Sequence, residues 1–292
     1  MDLPTLGALA ALGSAATWAV TSLLVRTLSP PFTSVGINAF RSTVAGVLLL
    51  GWATAGHGLD VFAAVSLPSL LLLGLSIALA IAIGDSVFFE STRILGLGRA
   101  MTISMTYPVG AALLAAAFLD EPVTARVAAG TLITLGGLAL IVGERPGREG
   151  ARRRWRGVAA ATLAAAAWAV SIVVLKPPLR EIEPAVAQAI RVPLAALMLW
   201  ATPWARGSVG AFRTLAPAGR RRVLLLSALT AVSSVMFVAG VKHAGVAVAA
   251  VLSSTAPLFA VPLGVFVLRE RVSARAVAGA IVTVLGVVVL GR

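Results

Sequence analysis

A chain of 292 residues that is 59% hydrophobic and only 12% charged, with a mean hydropathy of +0.98, cannot cover a water-facing surface. Soluble chains carry about 25% charge, so the solvent of this one is largely lipid. The net charge of +13 is not that of a nucleic-acid binder. Its arginines sit in short runs between apolar segments, with no basic domain interleaved with aromatics, and they read as membrane topology instead.

A bilayer core takes about 20 helical residues per crossing, so ten spans use roughly 200 residues and leave roughly 90 for loops. Apolar stretches bounded by charge, Pro or Gly predict spans over 5–27, 33–55, 67–92, 98–119 and 124–143. Five more follow over 157–176, 184–205, 221–242, 246–268 and 273–290. The opening stretch has no basic region ahead of it and runs straight into a full-length span, the pattern of a retained helix rather than a signal peptide. Residues 144–156, with Arg145, Arg148, Arg152, Arg153, Arg154 and Arg156, read as a basic linker between two halves, 1–143 and 157–292.

The halves are copies. Trp18-Ala19-Val20 recurs as Trp168-Ala169-Val170, Arg26 as Lys176, and Ala39, Arg41 and Ala45 as Ala189, Arg191 and Ala195, all at an offset of 150. After one deletion the offset is 149: Arg93 pairs with Lys242, Gly96 with Gly245, and Ala100, Ser104, Thr106 and Pro108 with Ala249, Ser253, Thr255 and Pro257. Leu119, Glu121, Val123 and Gly130 continue as Leu268, Glu270, Val272 and Gly279. Each copy holds an odd number of spans, so the second enters the membrane inverted. Inverted repeats build transporters that bind substrate near the midplane, between halves that rock about it. The expected fold is an all-α membrane protein of ten transmembrane helices, two inverted five-helix repeats around a central cavity.

Orientation follows from Lys and Arg counted by side. The loops after spans one, three, five, seven and nine hold 17, and the other side, both termini included, holds 5. The linker and the Arg220-Arg221-Arg222 loop are therefore expected in the cytoplasm and both termini outside, in the periplasm or extracellular space.

The pattern resembles the EamA-type transporters of the drug/metabolite transporter superfamily. The resemblance rests on the paired five-span halves, the tryptophan midway along the first span of each, and Arg41 and Arg191 early in the second. It rests also on Pro108 followed by Leu119-Asp120-Glu121-Pro122 and Gly130 to Gly137, repeated as Pro257, Leu268-Arg269-Glu270-Arg271 and Gly279 to Gly286. It covers almost the whole chain. It implies a secondary transporter of the bacterial inner membrane that exports amino acids or related small metabolites, working as a monomer in the lipid bilayer.

Ionisable groups inside a span are functional candidates by default. At about 1.5 Å per residue, Asp85 and Arg41 lie at matching depths, roughly 13 Å and 12 Å from the cytoplasmic side. They suit either a structural ion pair or a carboxylate that couples transport to protons. Glu90 and Arg93, three residues apart, share a helix face near the interface; a solvated pair is the simpler reading of Glu90 and a coupling site the sharper one. Arg191 has no such partner, because Ser234 stands where the second copy would place an acid. It either snorkels, bonds backbone carbonyls or holds an anionic substrate group. Asn38 and Gln188, three residues before the arginines, are placed to add hydrogen bonds.

Tryptophan favours membrane interfaces, yet Trp18 and Trp168 fall at mid-span, as packing or as cavity wall. Tyr107, the only tyrosine, has no aromatic counterpart in the second copy. Pro108 and Pro257 each remove a helix hydrogen bond and free the carbonyl four residues earlier, at Ser104 and Ser253. That makes Ser253 and Thr255 candidate cavity donors, along with Thr102, Ser104 and Thr106. Gly130 to Gly137 and Gly279 to Gly286 mark packing faces.

Other classes fit less well. With no cysteine, and with His57 and His243 as the only histidines, neither thiolate chemistry nor a metal centre is well supplied, and no cofactor is expected. Ile83-Gly84-Asp85 resembles the end of an intramembrane aspartyl protease motif, but Asp2, Asp60 and Asp120 lie outside or at the edges of spans, so a second catalytic carboxylate is missing. A channel or a membrane scaffold is harder to set aside, as is an exporter or importer of another metabolite or drug class; the inverted duplication favours a carrier.

Overall fold

The computed structural model describes residues 2–28, 31–118, 125–142, 151–244, 246–270 and 272–291. The Leu119-Asp120-Glu121-Pro122 motif with Val123, the stretch from Gly143 through linker residue 150, and Gly245, Arg271 and Arg292 lie outside them. Among the described residues all regular structure is helical. Six helices are long and apolar enough to cross a bilayer, or seven when a sharply bent pair is taken as one span.

Helix α1 (Leu3–Thr27) is opened by Asp2, whose carboxylate accepts the Thr5 N–H at 3.1 Å. Helix α2 (Ser34–His57) is capped by Thr33 and ends at Gly58, whose φ of 75° suits a residue without a Cβ. Helix α3 (Leu67–Leu95) is continuous but widens into a π-helical stretch from Ala78 to Asp85. The fourth apolar stretch is two helices, α4 (Leu97–Ser104) and α5 (Tyr107–Phe118). Then come α6 (Ala125–Val142), α7 (Ala151–Leu175), α8 (Pro184–Trp200) and α9 (Pro217–His243). The ninth stretch is again a pair, α10 (Val246–Ser253) and α11 (Ala256–Phe266), before α12 (Ala274–Gly291). Both breaks fall just ahead of Pro108 and Pro257, which cannot donate to the preceding turn.

Two expected boundaries shift. Helix α7 runs from Ala151, so Arg152 to Arg156 of the basic segment are helical ahead of the expected start of the span at 157. Charge excludes those residues from lipid but not from a helix, and arginine is a good helix former. Helix α8, the seventh expected span, stops at Trp200 instead of reaching 205, and the segment Pro203–Thr214 leaves at 88°. Thr202, the residue before Pro203, is held extended as residues preceding proline usually are.

Helices pack across the halves. Along α1 and α9, Ser14 meets Ser233 while Gly7 meets Ala244, so the two run antiparallel. Along α3 and α7, the Ser76 and Ser171 hydroxyls lie 3.2 Å apart, and the Ser91 hydroxyl donates to the Gly157 carbonyl at 3.0 Å. Helices α2 and α8 are also antiparallel, since Thr33 bonds the Trp204 carbonyl and the Trp200 indole donates to Thr43. In α6 and α12 the contact is drawn twice. A Cβ on Gly137 would lie 2.5 Å from the Thr283 nitrogen, and one on Gly286 would lie 2.5 Å from the Thr134 nitrogen. Only bare glycine permits that approach.

At one end of the fold Arg269 adopts φ 53°, the only left-handed residue other than glycine among those described. The turn carries Glu270 onto the first turn of α4, where the Leu97 N–H is shared by Oε1 and Oε2 at 2.9 and 3.0 Å. A Cβ on Gly96 would lie 2.9 Å from that carboxylate.

Candidate functional site

A cavity of about 150 Å³ opens between the halves. Helices α1, α2 and α3 line it from one half and α7, α8, α9 and α10 from the other, with Met105 and Tyr107 at the α4–α5 break. Of the residues singled out in the sequence, Trp18, Arg41, Asp85, Tyr107, Trp168, Gln188, Arg191 and Ser253 all reach its wall.

Arg41 is 1% exposed, and each arm of its guanidinium is committed. It forms an ion pair with Asp85, donates from Nε to Asn38 Oδ1 at 2.8 Å and from Nη1 to Thr230 Oγ1 at 3.2 Å. The guanidinium carbon lies 4.8 Å from the Phe89 ring centre and 5.5 Å from that of Trp18, adding cation–π attraction. A buried ion pair keeps its charges only when the remaining donors and lone pairs are also met, and here every guanidinium nitrogen has a partner. Asp85 takes a further bond, 3.1 Å, from the Trp168 indole.

The π-helical stretch makes that geometry available. Its wider turn releases carbonyls from the regular ladder, and side chains take them: Trp168 Nε1 donates to Ala80 at 3.1 Å and Asn38 Nδ2 to Ile81 at 2.7 Å. Gly84 is required here, since a Cβ would lie 2.5 Å from the Trp168 nitrogen.

Arg191, 3% exposed, is handled differently. It donates from Nη1 to Gln188 Oε1 and from Nη2 to Ser76 Oγ, both at 2.8 Å, and its Nε has no partner. Neither snorkelling nor carbonyl bonding describes it. Its described hydrogen-bond partners are neutral, and the one carboxylate on the described wall, Asp85, acts on it only through space because it is ion-paired to Arg41.

Aromatic rings form the apolar part of the wall. Trp18 and Trp168 meet edge to face at 5.8 Å, and Tyr107 meets Trp168 at 6.3 Å. The Tyr107 hydroxyl donates to the Ala250 carbonyl at 3.3 Å, tying α5 to α10. Trp18 Nε1 and Ser253 Oγ are buried without a partner.

The remaining candidates lie off the wall. Asn38 is a positioning residue, its amide spent on Arg41, Ile81 and Ser86. Thr255 bonds its own backbone at Leu252, as hydroxyls at a helix end commonly do. Glu90 is a half-exposed partner of Arg93 and Ser34. Pro108 and Pro257 shape the breaks beside the cavity rather than facing it.

Thr230 and Ser76, which receive the guanidinium bonds, were not singled out. Neutral hydroxyls inside spans are too common to stand out, and only the depth of the arginines pointed toward them.

Apolar helices able to cross a bilayer, enclosing a cavity with buried charge, define a multi-pass membrane protein with an internal cavity. The chain belongs to the EamA-like transporter family, which matches it twice, over residues 5–143 and 155–292. That family lies within the drug/metabolite transporter superfamily. The chain is 26% identical to an uncharacterized transporter of Archaeoglobus fulgidus over 77% of each chain. It is 35% identical to the uncharacterized protein PA1977 of Pseudomonas aeruginosa, in a match spanning about half of each, 50% of this chain and 48% of that one. A protein of known crystal structure shares the fold at a TM-score of 0.67, with 18% identity over 98% of this chain and 95% of its own.

Proposed function

We propose that the protein is a secondary transporter that exports small polar metabolites, amino acids first among them, across the bacterial inner membrane. It works by alternating access between two inverted five-helix halves, ten spans in all, and acts as a monomer. The observation that carries this reading is Arg191, a buried guanidinium with neutral partners on a cavity walled by both halves. A buried charge hydrogen-bonded only to neutral groups is costly to desolvate, and a bound carboxylate offsets that cost with charge-assisted bonds. The antiparallel packing of equivalent helices, α2 on α8 and α6 on α12, supports the inversion. The cavity lies within one chain, which supports the monomer.

Asp85 is the coupling group in this reading. It is the only acidic side chain on the described wall, and its bonds to Arg41 on α2 and Trp168 on α7 link both halves to its charge. The deciding experiment loads proteoliposomes with single amino acids and follows release with and without a pH gradient. Saturable release that responds to the gradient is expected; flux that neither saturates nor responds would make the protein a channel.

The excess of basic residues on one side supports a cytoplasmic linker and external termini. A reporter active only in the cytoplasm, fused at residue 292, is expected to be silent. Activity there reverses the orientation.

A further inference from the structure

The two halves repeat each other's contacts closely enough to expose one missing group. Ser91 on α3 bonds the Gly157 carbonyl of α7. At the mirror positions, a Cβ on Gly240 of α9 would lie 3.2 Å from the Gly7 carbonyl of α1. The same mirror takes Arg41 to Arg191, Trp168 to Trp18, and Asp85 to Ser234.

In one set the Asp85 carboxylate serves both Arg41 and the Trp168 indole. In the other set there is no carboxylate, and both residues that would use one are left short. Trp18 Nε1 and Arg191 Nε are two of the buried polar atoms without a partner. Ser234 reaches the cavity wall, but its hydroxyl is turned onto the Ala231 carbonyl of its own helix at 2.9 Å. The helper residues differ accordingly. Asn38 takes the Nε of Arg41, whereas the longer Gln188 takes a terminal nitrogen of Arg191 and leaves Nε bare.

We infer that the ligand is a monocarboxylate whose carboxylate occupies the mirror position of Asp85, beside Ser234 and between the Trp18 indole and the Arg191 guanidinium. This deepens the carrier reading and rests on it for the ligand being transported. Both waiting groups are pure donors, so an acceptor-only head with a negative charge satisfies them, while a neutral amide leaves the charge of Arg191 unmet. A second carboxylate finds no free cation on the described wall, because Arg41 is spent. The body of the ligand lies against Trp168, Phe237 and Met105, in a space of the size that accommodates a benzene ring.

The test uses the purified full chain, with benzoate and benzamide at matched ionic strength as probes and thermal midpoint as readout. Ser234→Asp supplies the missing carboxylate from within the chain, and Ser234→Asn is its neutral isostere. Benzoate is expected to stabilise the unmodified protein and benzamide not. Ser234→Asp is expected to melt about 3 °C or more above Ser234→Asn and to lose the benzoate shift. An aspartate variant that melts below the asparagine variant overturns the inference, because the new carboxylate then has no cation to meet. Equal shifts with benzoate and benzamide, zero included, also overturn it. Benzoate binding without saturable flux in proteoliposomes would sink the carrier reading and leave this site standing.

Discussion

Arg191→Lys is expected to raise the apparent KM for carboxylate-bearing substrates about 10- to 100-fold in reconstituted vesicles, with a smaller effect on folded yield. Lysine keeps the charge but not the planar fork, and it cannot hold Gln188, Ser76 and a substrate carboxylate together. Hydrogen bonds between charged groups contribute about 1.5–3 kcal/mol each, and each 1.4 kcal/mol is about a tenfold change in affinity. The neutral Arg191→Gln separates charge from geometry: it is expected to abolish saturable uptake of carboxylates at concentrations where the lysine variant still shows it. An unchanged KM in the lysine variant removes Arg191 from the site. If no amino acid gives saturable flux even with arginine in place, the cargo belongs to another metabolite class.

Asp85→Asn is expected to abolish uphill transport driven by a pH gradient. It also strips Arg41 of its ion-pair partner, and breaking a buried pair costs about 3–5 kcal/mol, so folded yield falls with it. The double variant Asp85→Asn with Arg41→Gln resolves the two effects. It removes both charges together, and replacing a whole buried pair is often neutral for stability. Folded yield, followed by size-exclusion chromatography, is expected to recover while uphill flux stays lost. Uphill flux restored in the double variant would leave Asp85 a purely structural counter-ion.

The ionic part of the site was legible because charge in a lipid-facing sequence is rare. Arg41, Asp85 and Arg191 stood out in spans otherwise apolar, and counting residues from the span ends put Asp85 and Arg41 level. The duplication was legible through Trp, Arg, Pro and Glu, whose alignment in so apolar a chain is costly to obtain by chance. What stayed hidden was carried by neutral atoms and backbone. No spacing rule marks the π-helical stretch before Asp85, because its carbonyls are claimed by Trp168 and Asn38 from distant helices. Asn38 and Gln188 stand equivalently in the sequence, and only the differing reach of the two amides separates a spent helper from one on the cavity wall. Helix α7 starts ahead of its expected span because the edge of a lipid span and the end of a helix are set by different physics.

The doubled contact between α6 and α12 has a consequence for how such a chain comes to exist. Gly137 meets Thr283 as Gly286 meets Thr134, so each half carries a patch complementary to itself, the defining property of an isologous two-fold interface. Two separate copies of one half, inserted in opposite senses, would already own this joint, and fusing them into one chain demands no new surface. Fusion does allow the copies to drift apart elsewhere, which a symmetric pair cannot do: one half keeps an aspartate where the other has Ser234. Selection then acts on the two faces of the joint together but on the two walls of the cavity separately.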